Sequence, residues 1–258
     1  FRSELNDPLS SRIAPATRRA LLFQVATRDR TQLQRTRLIR TLIDDARRHE
    51  LTLPVLVITK PLVDELDRVP EIGWFAETAI EASLAAGDAE SAKSWTIFAA
   101  ALDRNASGTL EHWRTLIDIA YRPDGSAPAS DLGAVESLAL RGRFTPEMLH
   151  RLATVLDALD YNVPIPLWEA ANRTPQPRGG HLPETGILSR LQEASKQGQH
   201  AATVLFAAST LGPGGTVGAH MIALGDTIRA LKRAGLEPAA RRLAFEALFD
   251  NWPRTLAP

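Results

Sequence analysis

The chain has 258 residues, 44% of them apolar and 23% charged, with a formal net charge of zero and no cysteine. Those proportions exclude an intrinsically disordered chain, and the missing thiols exclude disulfides, thiolate metal sites and cysteine nucleophiles. No uninterrupted apolar run approaches the ~20 residues a membrane-spanning helix needs, while abundant alanine, leucine and arginine with only 6% aromatics point to helix.

Charge is spread unevenly. Residues 1–50 hold eleven arginines against six acids, and residues 51–118 hold five basic against eleven acidic side chains. Attraction between neighbouring helices across this divide, or simple solvation of both faces, accounts for the pattern. The first residue is Phe1 rather than methionine, so preceding sequence is expected to be missing. A removed signal peptide and a shortened chain both fit, and the compartment, cytoplasmic or exported, stays open.

Periodicity and caps predict about twelve or thirteen helices joined by short connections. The first runs from Pro15, suited to a first helical turn, to about Arg28. The second, from about Gln32 to Glu50, places Leu38, Ile39, Leu42, Ile43 and Ala46 on one face with Arg30, Arg37, Arg40, Arg47 and Arg48 beside it as a basic stripe. Leu51 to Leu66 is ambiguous, because Pro54-Val-Leu-Val-Ile-Thr59 is rich in β-branched residues. It reads as helix because Pro54 fits a first turn and no second strand lies nearby, with a kink expected at Pro61.

Helices from about Ile72 to Ala86 and from Asp88 to Asp103 form an antiparallel pair, with Gly87 ending one and Asp88 capping the next. A helix over Leu110 to Tyr121 leads into a linker, Arg122 to Ser130. Helices follow at about Asp131 to Arg141, at Pro146 to Leu159 with Thr145 as N-cap, and at Leu167 to Asn172. A second linker, Thr174 to Pro183, precedes four helices near Ile187 to Gln197, Gln199 to Leu211, Val217 to Arg233 and Glu237 to Phe249. Two segments, 1–121 and 131–258, are expected to continue into each other as one superhelical domain.

The two Ala-Gly corners repeat an outline. After Gly87 come Ala92 and Ala99; after Gly235 come Ala240, Ala247 and Leu248. On these residues the chain resembles tetratricopeptide (TPR) and Sel1-like repeats, in which small side chains mark close crossings of adjacent helices. The match covers about 60 residues in two places and lacks the aromatic expected in each first helix. The resemblance implies an all-α fold of antiparallel helical hairpins stacked as a TPR-like α-solenoid. A compact, irregular all-α domain is the alternative.

Motifs of chemistry are sparse. Leu182-Pro-Glu-Thr-Gly186 spells a sortase-like LPxTG signal but lacks the apolar span and basic residues that must follow it; Thr185 instead suits a helix cap. Gly212-Pro-Gly-Gly-Thr-Val-Gly218 superficially resembles a phosphate loop, yet a helix precedes it and no lysine follows, so the glycines read as a turn with Thr216 capping the next helix. The six histidines, His49, His112, His150, His181, His200 and His220, have no metal-ligand spacing and read as surface or half-buried side chains. Asp44-Asp45 does not converge, and no serine sits in a G-x-S-x-G context. Asn105-Ala-Ser107 and Asn172-Arg-Thr174 are formal glycosylation acceptors. No catalytic, cofactor or metal residues are assigned.

Trp95 reads as packing between helices. Trp74 and Trp113 begin helices, where they either pack in the core or anchor a partner peptide on an inner groove. The leading expectation is a non-enzymatic helical-repeat scaffold that binds a protein or peptide, with Trp74, Trp113, Arg37, Arg40, Arg47 and Arg48 as candidate contacts. The alternatives are a nucleic-acid-binding module, using the basic stripe with Arg18 and Arg19, and an enzyme whose site assembles from distant residues. Overall neutrality and the acidic neighbouring segment count against nucleic acid.

Overall fold

The computed structural model describes residues 13–102, 110–122, 126–127, 131–177 and 179–254. The described residues form fourteen α-helices and a 3-10 segment with no strand, the one β-contact being an isolated bridge between His181 and Ala219. The chain is all-α. None of its described helices is long and apolar enough to cross a membrane. The Asn105–Ser107 sequon, and residues 123–125 and 128–130 of the first linker, lie outside the described residues.

Two compact units divide the chain, the first comprising residues 1–113 with 254–258 and the second residues 114–253. The division falls inside a helix, His112–Tyr121, rather than at the predicted linker, and Arg254 belongs to the first unit.

The first unit contains α1 (Pro15–Arg28), α2 (Gln32–Arg47), α3 (Thr52–Asp64), the 3-10 segment Pro70–Phe75, α4 (Ala76–Ala85) and α5 (Ala89–Leu102). Each α-helix packs on the next in sequence. The predicted helix from Ile72 to Ala86 is therefore two pieces, a 3-10 start and an α-helical remainder. The corner between α4 and α5 is a Schellman motif: the Asp88 N–H donates to Ser83 O at 2.8 Å and the Gly87 N–H to Leu84 O at 3.1 Å. Gly87 has φ +84°, a conformation that costs a side-chain-bearing residue energy. Asp88 then caps α5, its Oδ1 accepting from Ser91 N–H at 2.9 Å. Ala92 and Trp95 are buried in α5, as helix-to-helix packing requires, and Ala99 is half-buried.

The second unit continues His112–Tyr121, here α6, from Arg114 onward. It adds α7 (Gly133–Leu140), α8 (Pro146–Ala158), α9 (Ile165–Asn172), α10 (Thr185–Lys196), α11 (His200–Leu211), the single turn α12 (Gly215–Gly218), α13 (Met221–Arg233) and α14 (Glu237–Phe249). Thr145 caps α8, accepting from the Met148 N–H at 3.2 Å. The second Ala-Gly corner repeats the first: the Leu236 N–H donates to Leu231 O and the Gly235 N–H to Lys232 O, both at 2.9 Å. Ala240, Ala247 and Leu248 beyond it are buried. Packing in this unit departs from chain order, however, since α8 lies against α13 and α14, while α10, α11 and α13 pack mutually.

A buried polar cluster ties α6 to α14. Arg241 donates to the carbonyls of Asp118 and Ile119 at 3.2 and 3.3 Å, in the last turn of α6, and to Glu237 at 2.5 Å. A cation there matches the negative end of the helix dipole. Arg122 lies 5.0 Å over the Tyr161 ring, and the Tyr161 hydroxyl donates to Asp118. Burial first, and the Asp118 carboxylate second, hold the Tyr161 phenol well above its ordinary value of 10.0.

Tyr161→Phe is expected to lower stability by about 1–3 kcal/mol near neutral pH, since Asp118 loses a donor. A raised pKa in the folded state means its contribution is complete below pH 10.0 and fades as pH rises beyond that value. Urea unfolding at about pH 8 and about pH 11 should therefore show the gap between wild type and variant narrowing.

Candidate functional site

α3 is apolar on both faces. Val55, Leu56, Leu62 and Val63 are buried, yet Leu53, Pro54, Val57, Ile58 and Pro61 are exposed, at spacings of three and four residues that make one continuous stripe. Leu51, just ahead of the helix, is also exposed, and Ile58 is 51% exposed. A helix apolar all round is ordinarily buried or covered by a partner. Pro61 sits on the open face, where the Val57 carbonyl that loses its intrahelical donor can meet solvent.

The inner face of α3 is pinned. Lys60, buried on that side, donates to Asp64 at 2.5 Å and to Asp88, the cap of α5, at 2.7 Å. Burial alone would favour the neutral amine, but the hydrogen bonds and charges of both carboxylates outweigh it and raise the Lys60 pKa. For Asp88, burial is likewise overcome by Lys60 and by backbone N–H donors, and its pKa falls. The ion pair therefore stays charged and holds α3 against the corner that starts α5.

The predicted contact residues fall into three groups. Trp113 is wholly buried, its Nε1 donating to Glu77 at 3.1 Å, so it has no surface for a partner and belongs to the core. Trp74 is 38% exposed, edge-on to Phe75 at 5.8 Å, and keeps a free face. Among the arginines, Arg40 donates to Asp44 at 3.1 Å and to Thr78 at 2.9 Å, while Arg47 donates to Asp44 at 3.0 Å and to Glu81 at 2.5 Å. These two reach inward across the unit rather than outward as a stripe. Arg37 and Arg48 are exposed, the latter 3.5 Å from Asp45. Arg18 and Arg19 also face Asp45, at 3.8 and 3.0 Å. Arg30 is exposed as well, so within the stripe Arg40 and Arg47 are spent on internal partners while Arg30, Arg37 and Arg48 face solvent.

Two features went unmarked in the sequence. Glu77 and Glu81 are both buried in α4, and Glu81 accepts from Arg47 and from Arg254 at the far end of the chain. A signal existed, since both acids interrupt an alanine-rich helix that has no polar face to hold them, but their partners lie too far along the chain to be read from spacing.

The glycine segment 212–218 turns carbonyls, not amides, toward its neighbour. Buried Arg151 donates to Thr216 O at 2.5 Å and to Val217 O at 3.1 Å, and also pairs with Glu147 at 3.0 Å. A phosphate needs N–H donors, and here a cation already sits on the carbonyls at the end of α12. The predicted helix from Val217 is interrupted at the His181–Ala219 bridge, and His220, not Thr216, caps α13 through Nδ1 on the Ile222 N–H. Thr185 is the first residue of α10, with Glu184 in the cap position, so the LPETG stretch simply opens a helix. His112 is buried rather than at the surface. Among the described residues, no group of three His, Asp or Glu side chains is placed to hold a metal ion.

Compared with known proteins, the chain matches no family model, no curated protein and no solved structure.

Arg151→Met should cost about 1–3 kcal/mol in urea unfolding, because the buried Thr216 carbonyl and the part-buried Val217 carbonyl lose their donor. Millimolar ATP or inorganic phosphate should leave the melting temperature of the wild type unchanged, as the reading of this segment as a turn requires.

Proposed function

We propose that the first unit is a non-enzymatic helical-repeat scaffold that holds a protein or peptide partner, with the open face of α3 as its docking surface. The observation that carries this reading is the apolar stripe Leu53, Pro54, Val57, Ile58 and Pro61, presented on a helix whose opposite face is fixed. Helix-after-helix packing from α1 to α5, with a tight glycine corner between α4 and α5, supports a TPR-like arrangement in this unit. Each helix hides one side against its neighbours, so the remaining side can serve recognition without disturbing the core. An apolar stripe that ends at the exposed carboxylates Asp64 and Glu65 suits a partner segment that buries its own apolar face, helical or extended. Trp74 offers a further aromatic contact on the same unit.

Affinity capture from the source cells with the full chain as bait tests this. Ile58→Glu and Val57→Glu should each reduce recovery of a specific partner about ten-fold, as expected when a charge is forced into apolar contact, while shifting stability by no more than about 0.5 kcal/mol. Leu56→Ala on the buried face should instead cost about 2–5 kcal/mol. Unchanged recovery with both glutamate variants would overturn the proposal.

A further inference from the structure

Glu81 has a wholly buried carboxylate with two guanidinium partners of different standing. Arg47 takes Oε2 from α2, a rigid helix, and is itself steadied by Asp44 at 3.0 Å. Arg254 takes Oε1 through its Nε, from a position 173 residues further along the chain and outside any helix. Its side chain is 18% exposed while that of Glu81 is 0% exposed, so solvent reaches the pair on the Arg254 side.

We propose that the Oε1 side of Glu81 is a receptor for one guanidinium group, filled in cis by Arg254 and open to an arginine-bearing peptide in trans when Arg254 is withdrawn. A buried carboxylate oxygen stripped of its donor is costly, so departure of Arg254 creates a demand that only another donor meets. Lysine meets it poorly: its ammonium is compact and strongly hydrated, whereas a guanidinium is planar and sheds water more readily. Arg47 supplies the first cation from a helix, and Arg254, which follows the buried Trp252 and Pro253, supplies the second from outside any helix. The site is separate from the α3 face, and Ile58→Glu should leave it intact.

The probe is a fluorescein-labelled peptide, Asn-Trp-Pro-Arg-Thr-Leu-Ala-Pro, copying residues 251–258, titrated by anisotropy against the full chain. Arg254→Ala should bind it saturably. The wild type should bind about ten-fold or more weakly, because the cis arginine competes at an effective concentration of order millimolar. The same peptide with lysine in place of arginine should bind Arg254→Ala about ten-fold more weakly, and Glu81→Gln added to Arg254→Ala should remove binding. Circular dichroism and melting report that each variant is folded. If Arg254→Ala does not fold, Arg254→Lys, which keeps the charge, takes its place and should still prefer the arginine peptide. No saturable binding by the folded variant, equal binding of the lysine peptide, or equal binding by the wild type would each overturn the assignment.

Discussion

The first unit depends on the burial of α4. All ten of its residues, Ala-Glu-Thr-Ala-Ile-Glu-Ala-Ser-Leu-Ala, are removed from solvent, so four polar side chains must find protein partners. Each finds one on another element or in its own helix: Glu77 at Trp113, Thr78 at Arg40, Glu81 at Arg47 and Arg254, and Ser83 at Ala79 O and Ser91. These bonds fix the register of α4 against α2 in a way that alanine packing alone would not. Breaking any of the carboxylate contacts leaves a buried charge, which is a larger penalty than the bond's own strength.

That requirement explains the charge asymmetry along the chain. Arginines in the first fifty residues and acids in the following segment meet in pairs such as Arg47 with Glu81 and Arg35 with Glu65. Attraction between neighbouring helices, one of the two accounts the composition allowed, is what the structure displays. A basic helix read alone suggests a phosphate partner; read with its neighbours it is a set of internal counter-charges. Arg30, Arg37 and Arg48 remain outward.

Helix positions were largely legible because they rest on local physics. Thr145, Asp88, Gly87 and Gly235 act where short-range capping chemistry places them. The run Leu51 to Leu66, β-branched yet lacking a strand partner, is helical from Thr52 to Asp64. The misreadings share one cause, dependence on contacts distant in sequence. The inward turn of Arg40 and Arg47 depends on Thr78 and Glu81; for Trp113 the core reading holds, its burial going with Glu77, and the partner-contact alternative does not. The later start of the helix predicted from Val217, at Met221, goes with the bridge between Ala219 and His181. The open face of α3 was also hidden, because a doubly apolar helix gives no periodic signal of which side is covered.

The two Ala-Gly corners are alike in every backbone bond of the Schellman motif, yet the units built around them differ. In the first, α4 and α5 continue a succession in which each helix meets the next; in the second, α13 meets α8, α10 and α11 as well as α14. A glycine corner therefore dictates an antiparallel hairpin and no more. What turns a hairpin into a repeat is whether its outer faces find the adjoining hairpin or a helix from elsewhere, and that is decided by apolar pattern. α3 makes the distinction concrete: it packs on α1, α2 and α4, and its outer face, equally apolar, stays exposed among the described residues. In a succession of packed helices, such a face is where one more element would continue the stack, which is the place the proposed docking gives to a partner segment.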